Sequence, residues 1–162
     1  MIKGLHHNAY RCRDSEETRR FYEDFLGLPL ADAFEIAETK TGRSTRVLHS
    51  FYRLGDGSYL AFFEAPDRPF DFKAQHDFDL HIALEVDPET LLRMFEEGKA
   101  AGIETRGVAD HGFIRSIYFR DPNGYVIELA ARTDSAADYA AEAERRAHDS
   151  LAEWQKTKPK SG

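Results

Sequence analysis

Apolar positions along this chain follow two periods, and the order of periods occurs twice. His7-Asn8-Ala9 opens a strand-like run leading to Asp14 and then to Thr18, Phe21, Tyr22, Phe25 and Leu26 at three-and-four spacing, stopped by Gly27. His81-Ile82-Ala83 opens another, leading to Asp87, Pro88 and a stripe of Leu91, Leu92, Met94 and Phe95 that stops at Gly102. Three-and-four spacing puts apolar side chains on one face of a helix, whereas alternation marks a strand with one covered face. Asp14 or Ser15 with Glu17, and Asp87 with Pro88, punctuate the two helix starts. Each helix is followed by alternating runs joined by turn residues: 47–54, Gly55-Asp56-Gly57 and 58–64; then 114–120, Asp121-Pro122-Asn123-Gly124 and 125–131. Each half thus predicts strand, helix and two or three further strands, a mixed sheet with its helix on one face.

Two segments lie outside the repeat. Residues 65–79, with Pro66, Pro69 and four aspartates, read as the connection between halves. From about 134 to 155 the chain is Ala-rich and helical, with Tyr139, Ala143, Ala147, Leu151 and Trp154 in a narrow stripe. Docking of that stripe on its own domain is the default expectation, and a homodimer contact the sharper alternative. The expected organisation is one domain over 1–132, with module one at 1–66 and module two at 78–132, followed by a C-terminal helix and tail at 133–162.

Composition narrows the function classes. The 162 residues are 41% hydrophobic and 31% charged, ordinary for a globular protein. A formal net charge of −7 without a basic stripe argues against a nucleic-acid partner. No apolar signal segment and no spanning run occur, so no membrane partner is expected. The single Cys12 can form no internal disulfide, which suits a reducing cytoplasm.

Strand alternation also assigns faces. Leu80, Ile82, Leu84 and Val86 share the side that the helix covers, which turns His81 the other way. Tyr125, Ile127 and Leu129 make an apolar face, which sends Glu128 to the side of His81. Matching Ala9 with Ala83 places His7 on the corresponding face of the first half. Taken singly, each of these has a bland explanation, a hydrogen-bonded histidine or an acid paired with arginine. Together, two histidines and a carboxylate on one face form a three-ligand metal set with open positions. Where the second copy has Glu128, the first has Ala61.

These residues resemble the vicinal oxygen chelate superfamily of glyoxalase I, extradiol ring-cleaving dioxygenases, and fosfomycin and bleomycin resistance proteins. The resemblance spans roughly Leu5 to Arg132 and rests on His7-Asn8-Ala9 through Asp14, Phe21-Tyr22 through Gly27, Leu80-His81-Ile82-Ala83, and Asp121-Pro122-Asn123-Gly124 through Ile127-Glu128-Leu129. It implies an α+β fold of two tandem βαβββ modules forming a cup-shaped mixed sheet around one divalent metal, with helices on the outer face. Glyoxalase-like members use four protein ligands, and the fourth would fall at Ala61. Glu64 lies nearby, but alternation puts it on the opposite face. The remaining set, His7, His81 and Glu128, is similar to that of the extradiol dioxygenases, and Tyr118 falls where those enzymes carry a catalytic tyrosine.

The resemblance therefore implies a ferrous ring-cleaving dioxygenase acting on a small catechol-like aromatic and O2. Fe2+ is the leading metal, with Mn2+, Zn2+ or Ni2+ as alternatives. Tyr118, His49 and His111 would manage protons, and Phe51, Arg53, Tyr59 and Phe63 would line an aromatic-walled substrate pocket. Competing expectations are a glyoxalase-like lyase or epimerase, and a non-catalytic binding protein of the bleomycin-resistance type.

Overall fold

The strand that begins at His7 and the one that begins at His81 each start a four-stranded mixed sheet in the computed structural model, which describes residues 1–38 and 41–159. The elements run β1 (His7–Cys12), α1 (Ser15–Arg19), a π-helical segment (Arg20–Phe25), β2 (Leu30–Glu38), β3 (Ser44–Arg53) and β4 (Tyr59–Glu64), then β5 (His81–Glu85), α2 (Pro88–Ala100), β6 (Thr105–Asp110), β7 (Ile114–Arg120), β8 (Val126–Arg132) and α3 (Ala136–Thr157). Strand orders β1-β4-β3-β2 and β5-β8-β7-β6 are equivalent, so the repeat in sequence is a repeat in topology and the fold is α+β with tandem βαβββ modules. The chain divides into two compact units, one of residues Met1–His81 with Arg120–Val126, the other of Ile82–Phe119 with Ile127–Gly162.

In the first unit Asp14 caps α1 by accepting from the Glu17 amide at 2.8 Å, as the punctuation predicts. The single helix expected to Gly27 instead changes to π-helix after Arg19, a local widening of the ladder. Its inner face seats Tyr22 against Tyr52 and Phe62, with ring centroids 5.5 and 4.7 Å apart, and Thr18, Tyr22, Tyr52 and Phe62 are wholly buried. Cys12 is buried in the same layer, and burial pushes its thiol up to about 11, so it stays protonated and unreactive. The turn after β7 is counted with this unit. Asp121 there accepts from the Tyr22 hydroxyl, from the Asn123 and Tyr125 amides and from the Asn123 side chain.

In the second unit α2 buries Leu91, Met94 and Gly98, while Leu92 is exposed. The stripe predicted on α2 omitted Gly98, which the packing requires: a Cβ there would stand 2.5 Å from the Phe119 ring and 2.6 Å from Thr105 Oγ1. Gly98→Ala is expected to destabilise by about 1–3 kcal/mol through this overpacking, measured as a lower urea midpoint at unchanged slope. Two strands escaped the sequence reading, β2 and β6. Nearly all of β2 is solvent-exposed, so its residues carry no alternation, and β6 is short and broken by Gly107. The default expectation for α3 is corrected: none of its residues is buried, and Leu151 and Trp154 stand exposed. Its start is anchored by Tyr139 stacked on Phe113 at 3.8 Å and by Thr133 and Ser135 hydroxyls donating to the Gly112 carbonyl. No helix among the described residues is long and apolar enough to cross a membrane.

Candidate functional site

In the first unit, β1 runs parallel to β4 with His7 beside Tyr59, Ala9 beside Ala61 and Arg11 beside Phe63. Across the antiparallel β3–β4 pair, His49 faces Phe63, Phe51 faces Ala61 and Arg53 faces Tyr59. Directly paired residues share a face, so His7, His49, Phe51, Arg53, Tyr59, Ala61 and Phe63 all project to one side, as the alternation predicts. The rings confirm it. His49 stacks on Phe63 at 3.7 Å, lies 4.2 Å from Phe51 and 6.3 Å from His7, and Phe34 of β2 closes the group at 5.5 Å. Sequence reading missed Phe34 because it belongs to the unrecognised β2. His49 Nδ1 lies 3.0 Å from the Phe62 carbonyl oxygen, which can only accept, so Nδ1 carries the proton and Nε2 the lone pair.

Ala61 is wholly buried on the His7 face, so a methyl group stands where the family resemblance implies a fourth ligand. Glu64 cannot substitute. It pairs with Cys12 and Leu48 on the other face, and its carboxylate accepts from the Ser15 amide at 2.8 Å, at the start of α1.

His81 closes the first unit. Its Nδ1 donates to the Asp77 carbonyl at 2.8 Å, which fixes the orientation of the ring. His7 shares a 2.7 Å hydrogen bond between its Nδ1 and that of His6.

In the second unit Glu128 is 6% exposed, and its carboxylate accepts from Ser116 Oγ at 2.5 Å and from the Tyr118 hydroxyl at 3.5 Å. The Tyr118 hydroxyl lies 3.4 Å from His111 Nε2, and the Arg106 guanidinium lies over the Tyr118 ring at 5.4 Å. A chain from His111 through Tyr118 to Glu128 is therefore present in one unit. Ser116 is a functional candidate that the sequence reading left without a role; its parity with Tyr118 was the available signal. Among the described residues, no three His, Cys, Asp or Glu side chains are grouped so as to hold a metal ion. His7 and His81 are counted with the first unit and Glu128 with the second.

The sequence profile of the Glyoxalase/Bleomycin resistance protein/Dioxygenase superfamily matches residues 4–129. The chain belongs to this superfamily. Its similarity to individual members is weaker. Metallothiol transferase FosB of Shouchella clausii (strain KSM-K16) is 27% identical over 162 residues, 93% of this chain and 94% of that protein. The fosfomycin resistance protein FosX from Listeria monocytogenes, solved with Mn(II) and sulfate, superposes with a TM-score of 0.62 at 23% identity, covering 85% of this chain and 98% of that one. FosX from Mesorhizobium loti gives a TM-score of 0.58 at 25% identity, covering 83% and 96%. The superfamily assignment accounts for the duplicated topology and ends before α3.

Proposed function

We propose that this chain is a divalent-metal enzyme that opens or adds to a small substrate presenting adjacent oxygens, with His7, His81 and Glu128 as the metal ligands. The observation that carries the reading is the preparation of Glu128: a buried carboxylate held by two hydroxyls, one of them at the end of a path to His111. Two imidazoles with one carboxylate suit Mn2+, Fe2+ or Zn2+. Held by these side chains, such a metal would supply Lewis-acid polarisation of vicinal substrate oxygens. Tyr118 would turn its hydroxyl proton from Glu128 to the oxygen that gains charge, and His111 would exchange the proton with solvent. Ala61 leaves the substrate side open.

Two similarities favour group transfer over oxidation: FosB is a thiol transferase matched along nearly its whole length, and the Listeria FosX structure holds Mn(II). The thiol would come from a second substrate, because Cys12 is buried and protonated. The module boundaries 1–66, 78–132 and 133–162 belong to this reading, as does a homodimer in which a second copy completes the ligand set.

Ferrous ring cleavage is the second reading. It is favoured by the aromatic wall of Phe34, Phe51 and Phe63 around His49, which suits a planar aromatic substrate. One experiment separates the two. Protein purified without chelators is analysed for metal and mass, then assayed with Mn2+ and fosfomycin plus thiols or water, and anaerobically with Fe2+ followed by a catechol panel and O2. Consumption of fosfomycin supports group transfer, and ring-cleavage absorbance supports the second reading. A protein that binds no divalent metal would defeat both. In whichever assay is active, Tyr118→Phe should lower kcat by about 100-fold with a smaller change in KM.

A further inference from the structure

Between α3 and the sheet of the second unit lies a cleft of about 350 Å3 that the superfamily segment alone does not build, because that segment ends at residue 129. Its floor is Ala83 of β5, Ala130 of β8 and Ile114 of β7. These are on the face of Glu128: Ala130 lies two residues beyond Glu128, and Ile114 two before Ser116, which donates to it. Two residues of strand are roughly 7 Å, so the floor is the row next to the candidate ligand. Its wall is the first turns of α3, Ala136, Tyr139 and Ala140, with Phe113 stacked on Tyr139 at one end.

The chemistry of the lining selects the occupant. Four alanines leave the space empty where larger side chains would have filled it, and the helix above buries nothing, held off the sheet by the Phe113–Tyr139 stack. The charged residues at the rim, Glu85 and Arg132, neutralise each other through hydrogen bonds of 2.7 and 2.9 Å. Glu85 and Arg132 are the charged residues among those lining the cleft, and the nearby Arg146 guanidinium lies over the Tyr139 ring at 5.6 Å. The volume is at the lower end of small-ligand sites.

We propose that this cleft is a binding subsite for an uncharged apolar group, an aryl ring or short branched alkyl, carried by the substrate whose oxygens reach the Glu128 row. The proposal rests on the metal-site reading for the identity of its ligand but not for the existence of the pocket. The test is arranged to keep the two apart. With the alanine methyls isotopically labelled, metal-free protein is titrated with 1-naphthol and followed by NMR. Saturable shifts are expected at Ala83, Ala130, Ala136 and Ala140. Ala136→Phe and Ala140→Trp, both on the solvent-accessible helix where enlargement does not disturb the core, should each weaken 1-naphthol at least about tenfold. The metal-loaded protein is then titrated with phenylphosphonate and methylphosphonate. The phenyl compound should bind at least about tenfold tighter to the natural chain, an advantage both variants lose. Absence of the methyl shifts, or variants that bind 1-naphthol as the natural chain does, would overturn the pocket. Normal 1-naphthol binding with no preference for phenylphosphonate would overturn its assignment to the substrate.

Discussion

Glu128→Gln is expected to leave the metal-free protein as stable as the natural chain or slightly more so, and to remove the stabilisation given by Mn2+. Glu128 is 6% exposed and held by the Ser116 and Tyr118 hydroxyls, and an amide oxygen of nearly the same shape can still accept from both. A side chain kept for function commonly costs stability, which is the signature sought here. Metal at one hundred times its dissociation constant stabilises a folded protein by about 2.7 kcal/mol, which for this length is a rise of roughly 5–11 °C in Tm. Loss of an outer partner of a metal ligand costs roughly 10–100-fold in affinity, so loss of the ligand itself should cost no less than about 100-fold. Thermal unfolding with and without Mn2+ reads both effects. An unchanged metal-induced rise in the variant would remove Glu128 from the ligand set.

Asp121→Ala should be the most damaging single change in the first unit, at about 3–5 kcal/mol, because it leaves four donors without their acceptor. Tyr22 Oη, the Asn123 and Tyr125 amides and the Asn123 side chain all donate to this carboxylate, and Asn123 also receives the Arg13 amide at 2.8 Å. For this length the loss corresponds to a fall in Tm of roughly 6–20 °C. Burial raises the Asp121 pKa above its ordinary 3.8, against the lowering effect of those hydrogen bonds. The sign follows from a raised folded value: the contribution of this group is fully present below the unfolded pKa and declines as pH rises through the folded one. Asp121→Asn abolishes that titration, so the stability of the natural chain relative to the Asn variant should fall across that window in urea melts. A difference that rises with pH would contradict the assignment.

The two predictions concern residues of different kinds that look alike in sequence. Asp121-Pro122-Asn123-Gly124 and Glu128 are parts of one recognisable stretch, yet Asp121 ties a turn to Tyr22 while Glu128, the proposed metal ligand, accepts from Ser116. Strand parity assigned a face to Glu128 but not to Asp121, which lies in the turn, because a period of two fixes faces only within a strand. Parity also placed His49, Phe51, Tyr59 and Phe63 beside His7, and excluded Glu64. It could not find Phe34, whose strand is almost wholly exposed and lacks alternation. Nor could it find Gly98, whose missing side chain matters only because Phe119 lies against it. The proposed preference for group transfer over iron and dioxygen comes from similarity to a metallothiol transferase, a distinction that the ligand set cannot make because the same three side chains accept several divalent metals.

By itself the sequence determined the duplicated βαβββ order, the helix starts at Asp14 and Asp87, the common face of His7, His49, Phe51 and Phe63, and the alanine at position 61 where the second copy has Glu128. Those are properties of local spacing, capping and alternation, which need only the neighbouring residues. Tertiary structure alone decided the tautomers of His49 and His81, the hydroxyl pair on Glu128, the path from Tyr118 to His111, and the stance of α3 above an alanine-lined cleft. Each depends on which distant backbone carbonyl, hydroxyl or ring comes within a few ångströms, and no period in the chain encodes that distance.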